Sequence, residues 1–563
     1  MNDTIGKVVT GQQNLKFAMV FNLHADNGDP PEVRNWRVHL MAIIMSMGSL
    51  AMGYDTAVIG GTMALDSFKR DFGLNGVSQH QHDTLQGNIV STFQAGTFFG
   101  ALLTFPIGEK IGRKKAIMFA IAVFLVGGTL MTAANGRLSL IYAGRAIAGF
   151  GIGSVSLLVP VYIAETSPPS IRGRLVGIFE ILSQGGGMLG FWINYVVNRT
   201  VSSESKTQWI IPLALQLLPG VLLLSGVFWC PETPRWYAKH NRWDEAAETL
   251  SWIRKLPSDH EYITTELDDI KAQAYSSRPP PGVRNTKRYY FSRLFQKGTR
   301  NRIGIGLLMM AFQNLTGVNI ITYYSPRIFE TLGITGTDTK LFATGFYGVA
   351  KTLGMIIFSV WLVEKVGRRK GLIWGAFVGS IPMWYLGGYV YKNDPTSAAA
   401  RGDIARRGWG YLAMVCVYLY GLIYCATWQG ITWVYCSEIF PLDIRMLCVA
   451  ITTADQWLWS FIISRTTPYM ITSLGYGTYM FFASLMVCMG IWAWWAVPET
   501  KGKTLEEMEV IFGVVPEGEI LQGREDVKLE VDEKQPDVKI DGEIVHVGKS
   551  SYGEDIDIQI QRV

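Results

Sequence analysis

The chain has 563 residues, of which 49% are hydrophobic and 17% charged, and its formal net charge is +5. Because soluble proteins carry about 25% charged residues, this composition indicates a membrane protein and excludes a disordered, collagen-like or disulfide-rich chain. The charge is unevenly placed: residues 516–563 contain 13 acidic and 6 basic side chains, so the excess of lysine and arginine lies in the rest of the chain.

Apolar runs of about 20 residues, the length that crosses a bilayer as a helix, occur twelve times. The first six lie at 39–61, 85–107, 116–134, 138–163, 174–197 and 209–230, and the second six at 302–326, 341–363, 371–391, 409–436, 447–473 and 477–497. They predict an all-α membrane protein with twelve transmembrane helices in two six-helix halves, residues 39–230 and 302–497.

Polar segments flank and separate the two halves. They are an N-terminal segment (1–38), a linker (231–301) and an acidic tail (498–563). Within the linker, Trp243–Leu256 and Tyr262–Ala274 have helical patterns, and the breaker Pro279-Pro280-Pro281 follows them.

Basic clusters in short loops predict the orientation in the membrane. They are Lys110, Arg113, Lys114 and Lys115 after the second run, Arg172 and Arg174 after the fourth, and Lys365, Arg368, Arg369 and Lys370 after the eighth. By the positive-inside rule these loops are cytoplasmic, and so are the linker and both termini. The sequon Asn198-Arg199-Thr200 then lies outside, where glycosylation remains an open alternative.

The two halves repeat each other. EKIGRKK (109–115) recurs as EKVGRRK (364–370), AETSPPSIR (164–172) as SEIFPLDIR (437–445), and PET (231–233) as PET (498–500). Glu109 thus matches Glu364, Glu165 matches Glu438, and Arg172 matches Arg445. Two six-helix halves are the architecture of many secondary transporters, whose substrate site lies at the midplane between the halves.

Several motifs in a fixed order carry a family resemblance. They are GYDTAVIGG (53–61), YAGRAIAGFGIGS (142–154), PETPRW (231–236), FQNLTGVNIITYYSP (312–326) and VPETKGKTLEEM (497–508). Over about residues 39–510 the chain resembles the sugar porter family of the major facilitator superfamily, which implies the major facilitator fold and transport by alternating access. Residues 180–195 and 456–470 are most similar to fungal proton-coupled pentose/hexose and quinate-permease-like transporters.

Asp55 lies within the first apolar run, where a carboxylate is costly and is therefore a functional candidate. A low dielectric favours the neutral carboxyl and a nearby cation favours the carboxylate, so a group that alternates between these states carries a proton. Arg145 in the fourth run is the predicted cation, with Gly149 and Gly153 on the same helix face, where they let another helix approach. The resemblance implies that Asp55 and Arg145 form the coupling pair, and a static structural ion pair is the alternative.

The repeated loop charges are predicted to gate transport. They are Glu109, Arg113, Glu165 and Arg172 in the first half and Glu364, Arg368, Glu438 and Arg445 in the second. The resemblance implies salt-bridge networks that close the cytoplasmic side when the transporter faces outward, and the alternative is that these charges are topology signals only. Lys110 and Lys365 stand where the family motif has arginine, so charge is kept but the bidentate fork is lost.

Neutral polar and aromatic side chains are the predicted substrate contacts, because amides pair with sugar hydroxyls and tryptophan stacks on sugar C–H faces. They are Gln313, Asn314, Asn319, Tyr323 and Tyr324 in the seventh run, Trp433 in the tenth, and Gln456 and Trp457 in the eleventh. Gly317 is expected to break the seventh helix so that Gln313 and Asn319 both turn toward one cavity. The resemblance implies sugar contacts at these same positions.

Three positions depart from the family pattern. Glu180 stands where most members have a sugar-binding glutamine, with Gln184 one turn later. Asn314 replaces a second glutamine, and Asp455 precedes Gln456 where asparagine is commoner. Quinate-permease-like members share the Glu-x-x-x-Gln pattern. A buried acid can bind sugar hydroxyls or carry a second proton, but it repels an anion unless it is protonated.

The sequence therefore predicts a proton-coupled symporter for a monosaccharide, xylose or glucose, in the plasma membrane. The alternatives are a quinate or sugar-acid permease and a nutrient-sensing receptor on the same fold. No catalytic motif is visible, and the six cysteines lie in or beside apolar segments without a CxxC pair, so neither an enzyme nor a metal site is expected. The proton is the expected coupling ion, without a cofactor; the expected partners are a sugar and the bilayer, not nucleic acid, and the chain is expected to be a monomer.

Overall fold

A computed structural model describes residues 30–276, 286–334, 336–362, 365–393, 408–441, 444–501, 508 and 511–512, and the strand residues 538–540, 543–549 and 556–561. The chain divides into two compact units, residues 1–502 and residues 503–563. All twelve predicted runs lie in the first unit, whose described elements are helices. The prediction of an all-α membrane fold is confirmed by this unit.

The first half of this unit begins with a short 3-10 turn, Pro31–Arg34. Its helices are α1 Trp36–Ala64, α2 Asp66–Asp71, α3 Gln79–Ile111, α4 Arg113–Thr132, α5 Leu138–Thr166, α6 Arg172–Thr200, α7 Thr207–Leu215 and α8 Leu217–Val227. Side chains cap the polar starts of α1 and α3: Asn35 Oδ1 accepts the Arg37 N–H at 2.8 Å, and Ser78 with Gln81 forms a capping box.

The linker contains four short helices. They are α9 Pro234–Lys239, α10 Trp243–Arg254, α11 Glu261–Ser276 and α12 Thr286–Leu294. Both predicted linker helices are confirmed, and α10 ends at Arg254 because Lys255 adopts the left-handed conformation with φ 59°. A small apolar core that includes Leu250 and Ile263 packs α9, α10 and α11 together. The predicted breaker, residues 279–281, lies outside the described residues.

The second half of the unit continues from the linker. Its elements are α13 Thr299–Leu315, α14 Val318–Thr331, α15 Thr337–Ile357, a π-helical turn Phe358–Leu362, α16 Arg368–Asn393, α17 Gly408–Tyr424, a π-helical turn Cys425–Gln429, α18 Gly430–Glu438, α19 Arg445–Leu474 and α20 Gly477–Ala496. Each predicted apolar run of this half therefore coincides with one helix or with a helix pair.

Eleven helical segments of the described chain are long and apolar enough to cross a membrane. The remaining predicted run, 371–391, is also helical, as α16, and its 26 residues suffice for a span. The glycine, tryptophan and tyrosine residues of this run lower its mean hydropathy. Helix α16 nevertheless belongs to the bundle, because it packs against both α17 and α20.

The two halves contact each other mainly through three helix pairs: α3 with α19, α6 with α15, and α1 with α14. Each pair takes one helix from each half, so the interface runs through the centre of the bundle. We call the end where α1 begins at Trp36 and α20 ends at Ala496 the termini end, and the opposite end, where α3 begins at Gln79, the far end.

The predicted break in the seventh run is confirmed at Gly317. Helix α13 ends at Leu315, α14 begins at Val318, and Gly317 between them has φ 88°, a conformation that residues with a Cβ adopt only at a cost. A Cβ at this position would also lie 2.9 Å from the ring of Phe482. Glycine is therefore required here both for the backbone and for the space.

The second unit contains a three-stranded antiparallel sheet in the order β1-β2-β3. The strands are β1 Val538–Ile540, β2 Glu543–Lys549 and β3 Ile556–Gln561, and Val545 lies opposite both Val538 and Ile560. The acidic composition of the tail does not predict these strands. The alternation of polar and branched residues in EIVHV and IDIQI is the sequence signal that indicates them.

The break at Gly317 generates the first prediction. Gly317→Ala should lower the melting temperature of the purified protein in detergent, because the left-handed backbone alone costs about 1–2 kcal/mol and the Phe482 ring must also move. Gly73→Ala is the matched control, since Gly73 has φ 69° but nothing within 4 Å of an added Cβ. Equal losses in the two variants would contradict the role of the Phe482 contact.

Candidate functional site

A polar cavity lies between the two halves. Helices α1 and α6 form its wall on one side, and α14, α15 and the segment from α17 to α19 form the other. Both amide groups and aromatic rings line this wall. The charged side chains among the described lining residues are Glu180 and Lys351. The cavity is therefore suited to a ligand with many hydroxyl groups and an apolar face.

Most of the predicted substrate residues line this cavity. They are Glu180, Gln184, Asn319, Tyr323, Trp433, Gln456 and Trp457. They come from both halves, and Trp457 Nε1 donates to Ser156 Oγ of the other half at 3.2 Å. The arrangement places amides and tryptophan around one space, as the chemistry of a sugar-like ligand requires.

Gln313 and Asn314 lie behind the cavity wall. Gln313 is fully buried, and its Nε2 donates to the backbone oxygen of Gln429 at 3.1 Å. Asn314 donates to Gln456 Oε1 at 2.6 Å and accepts from Asn319 Nδ2 at 2.6 Å. The structure thus uses Asn314 to orient two lining amides, and it does not bring Gln313 to the cavity.

Tyr324 also lies away from the cavity wall, because its hydroxyl donates to the Ser464 backbone oxygen at 2.8 Å. Gln429 and Lys351 also line the cavity, although neither was among the predicted contacts. Gln429 donates to Glu180 Oε2 at 3.4 Å from the π-helical turn, and Lys351 lines the cavity from α15. A lysine in the middle of an apolar run is the signal that would have identified Lys351.

Asp55 and Arg145 form an ion pair inside the first half. Arg145 Nη1 donates to Asp55 Oδ1 at 2.6 Å, and both side chains are 0% exposed. Among the ion pairs of the described residues, this is the only one with both partners fully buried. Arg145 is further held by the Ile89 backbone oxygen at 3.0 Å and by the face of Phe93 at 4.6 Å.

This pair is incompletely satisfied. Asp55 Oδ2 and Arg145 Nη2 are buried and have no hydrogen-bond partner among the described residues. The neighbouring residue Thr56 lines the cavity, so the pair lies beside the candidate substrate site. Gly149 permits the close approach, since a Cβ there would collide with the Phe93 backbone oxygen. A charged pair with unused donors and acceptors is poised to exchange partners or a proton.

Among the described residues, the repeated loop charges form corresponding arginine–glutamate pairs in the two halves, at the termini end. In the first half, Arg113 Nη2 donates to Glu109 at 2.9 Å and to Glu165 at 3.3 Å, and Thr233 donates to Glu165 at 2.6 Å. Lys239 also pairs with Glu109.

In the second half, Arg368 Nη2 donates to Glu438 at 2.7 Å, and Thr500 donates to Glu438 at 3.1 Å. Glu364, the match of Glu109, lies outside the described residues.

The glutamates of the two PET motifs cap helices, a role that the sequence alone did not reveal. Glu232 accepts the backbone N–H groups of Arg113 and Lys114, both at 3.0 Å, at the start of α4. Glu499 accepts those of Arg368 and Arg369, at 2.8 and 3.1 Å, at the start of α16. Burial raises the pKa of the Glu232 carboxyl, and the N–H groups that it accepts oppose this shift.

Arg172 and Arg445 do not join the halves in this conformation. Arg172 Nε has no hydrogen-bond partner, and Arg445 Nε lies 3.4 Å from the Phe440 oxygen of its own half. Glu165 and Glu438 pair within their own halves instead. At the termini end, the described residues therefore contain no ion pair between the halves.

At the far end, a buried ion pair joins the halves. Asp83 of α3 pairs with Arg327 of α14 at 2.8 Å and accepts from Thr472 of α19 at 2.6 Å. Thr84 and Tyr469 form a further bond between the halves at 2.9 Å. The side chain of Asp83 is 2% exposed and that of Arg327 is 16% exposed. Among the described residues, ion pairs thus bridge the halves at the far end and not at the termini end.

Comparison with known proteins gives one family over most of the chain. A family model described as "Sugar (and other) transporter" matches residues 41–512. A probable quinate permease of Aspergillus clavatus is 42% identical over 499 residues, which cover 88% of this chain and 92% of that protein. The quinate permease of Emericella nidulans is 42% identical over the same length and coverage.

Solved structures agree with this assignment. The proton:xylose symporter XylE bound to 6-bromo-6-deoxy-D-glucose matches with a TM-score of 0.70 and 27% identity, covering 84% of this chain and 99% of its own. The inward open conformation of XylE from E. coli matches with a TM-score of 0.65. The predictions of a major facilitator fold and of a transporter that is not an enzyme are confirmed. The chain belongs to the sugar transporter family of the major facilitator superfamily and is a multi-pass membrane protein that binds a small substrate within the bilayer.

Proposed function

We propose that this protein is a proton-coupled importer of a small polyhydroxylated substrate, located in the plasma membrane with both termini in the cytoplasm. The observation that carries the proposal is the buried pair of Asp55 and Arg145 beside a polar cavity between the two halves. A fully buried ion pair contributes little to stability when compared with apolar packing. The presence of this pair beside the cavity therefore favours a role in transport.

Proton coupling follows from the chemistry of this pair. When Asp55 takes up a proton, its attraction to Arg145 weakens, and Arg145 becomes free to interact with groups of the facing half. When Asp55 loses the proton, the pair re-forms and is held by the short bond between Oδ1 and Nη1. The proton is the coupling ion in this scheme, and no cofactor takes part.

Alternating access follows from the two ends of the bundle. Asp83 and Arg327 bridge the far end in this conformation. Arg172 and Arg445 at the termini end are available to pair with Glu438 and Glu165 when the halves rock together there. Because the basic loops lie at the termini end, that end is cytoplasmic by the positive-inside rule, and the conformation is closed to the outside.

Two substrate classes have specific support. A polyhydroxylated carboxylate of the quinate type is favoured by relatives named quinate permease, which are 42% identical over most of the chain. A neutral monosaccharide such as xylose or glucose is favoured by the structural match to a xylose symporter at 27% identity. Because the quinate permeases have the higher sequence identity, we rank the carboxylate as the first candidate substrate and the monosaccharide as the second.

A nutrient-sensing receptor on the same fold is the rival from another class. A receptor binds its ligand without moving it, so uptake of labelled quinate and xylose into proteoliposomes separates the two functions. Uptake of either substrate supports the transporter, and binding without uptake supports the receptor.

The coupling pair generates the second prediction. Asp55→Asn should abolish accumulation against a gradient, while counterflow exchange survives, because an amide resembles the protonated acid in charge and shape. Arg145→Ala should also abolish accumulation, since the remaining acid would hold its proton too tightly. Uptake by vesicles with and without an imposed pH gradient is the measurement.

Asp66→Asn is the matched control, because Asp66 is the exposed acid that follows the same helix. The control should accumulate substrate as the wild type does. Continued accumulation by Asp55→Asn would refute proton transfer through this residue.

The cavity geometry generates the third prediction. Gln456→Ala should weaken binding of the transported substrate at least several-fold, because a lost amide–hydroxyl bond costs about 1–3 kcal/mol. Gln313→Ala should weaken binding less, since Gln313 contacts backbone oxygens behind the wall. Calorimetry on the purified variants measures both affinities. A greater loss in Gln313→Ala would place that residue in the substrate site instead.

The ion pair at the far end generates the fourth prediction. Arg327→Ala should increase labelling of single cysteines placed at the far end, because a buried Asp83 carboxylate without its partner strongly destabilises the closed contact. Arg445→Ala should have the opposite effect and favour the present conformation.

Arg199→Ala is the control, since Arg199 and Asp338 also join the halves but are 62% and 39% exposed. An exposed pair contributes about 0–1 kcal/mol, so this variant should label almost as the wild type does. Indistinguishable labelling of Arg327→Ala and Arg199→Ala would show that the buried pair does not hold the far end closed.

A further inference from the structure

Lys351 is a cation in the wall of the cavity and within a membrane helix. It lies on α15, in the predicted run 341–363, and its side chain lines the cavity. Its Nζ donates to Thr322 Oγ1 at 3.3 Å and lies 5.7 Å from the centre of the Tyr347 ring. These neutral contacts position the ammonium group without neutralising it.

No carboxylate of the described residues lies within ion-pair distance of Lys351, in contrast to Arg145, which is paired with Asp55. Glu180 is the acid in the same cavity wall, and its Oε2 accepts from Gln429 instead. A charged side chain at the centre of a membrane helix is costly, so such a residue is a candidate for a function. Within the described part of the chain, Lys351 therefore has no counter-ion, and it faces the space that a substrate enters.

The rest of the wall specifies what kind of anion fits. Gln184, Asn319 and Gln456 offer amides for hydroxyl groups, and Trp433 and Trp457 offer aromatic faces for a carbon ring. A small ring that carries several hydroxyl groups and one carboxylate satisfies both features. Glu180, which is bonded to Gln429 and not to Lys351, would accept a hydrogen bond from a hydroxyl group of such a ring.

We infer that Lys351 is the specificity-determining residue of the cavity: it binds the carboxylate of a polyhydroxylated monocarboxylate and disfavours the neutral sugar of the same size. The inference rests on the proposed function, because it names the substrate class of the same transport site. A neutral ligand leaves the buried ammonium unpaired, and sites that contain such a group reject a ligand that cannot pair with it.

Quinate and its neutral carboxamide are the ligands that test the inference, since they differ in charge but have nearly the same shape. Wild-type protein in detergent should bind quinate at least tenfold more tightly than the carboxamide. Lys351→Met should lose this preference through weaker binding of quinate, with the carboxamide affinity unchanged or increased. Lys351→Arg should retain part of it, because the charge remains.

Lys340→Met is the matched control, since Lys340 belongs to the same helix but pairs with Glu330 away from the cavity. This variant should keep the wild-type preference. Carboxamide binding by Lys351→Met that is no weaker than that of the wild type shows that its site is folded. If that variant cannot be purified, the wild-type ratio of the two affinities decides the question.

The inference is overturned if wild-type protein binds the carboxamide as tightly as quinate, or if folded Lys351→Met still prefers quinate. Its failure is distinct from failure of the proposed function. Binding of the carboxamide as tightly as quinate, together with proton-coupled uptake of quinate or xylose by the wild type, would refute the role of Lys351 and leave the transporter intact. Absence of proton-coupled uptake for quinate, xylose and glucose alike would refute the transporter.

Discussion

The buried ion pair of Asp55 and Arg145 is the constraint on which the rest of the structure depends. A charge inside the bilayer must be compensated, and this pair compensates two charges at once in a space where both side chains are fully buried. Glycine at 149 brings α5 against α3, so that the Phe93 ring and the Ile89 oxygen can hold the arginine. The same rule explains why Lys351, which forms no ion pair with a carboxylate of the described residues, faces the cavity and not the lipid.

The internal repeat explains how the two ends of the bundle are built. Each half contains an arginine that binds a glutamate at the end of a membrane helix, and a PET glutamate that caps the next helix. These networks lie within the halves and keep each half rigid, whereas the Asp83–Arg327 pair lies between the halves. Rigid halves with replaceable contacts between them are what a rocking motion about a central site requires.

Much of the fold could be predicted from the sequence, because apolar runs, basic loops and a repeated motif are strong signals. Asp55 and Arg145 were also visible as lone charges in apolar runs. The positions of Gln313 and Asn314 behind the cavity wall could not be predicted from the sequence. The break at Gly317 and the π-helical turn before Gly430 decide which amides face the cavity. The capping role of Glu232 and Glu499 depends on contacts more than 100 residues away in sequence, which no local pattern reveals.

The central claim is that substrate and proton move together, and direct observation of proton entry tests it most closely. Purified protein is placed in proteoliposomes that contain a pH-sensitive dye, with equal pH on both sides, and quinate, xylose or glucose is added outside. The account predicts that a transported substrate acidifies the interior at the rate at which the labelled substrate enters. Entry of labelled substrate without acidification would contradict the account.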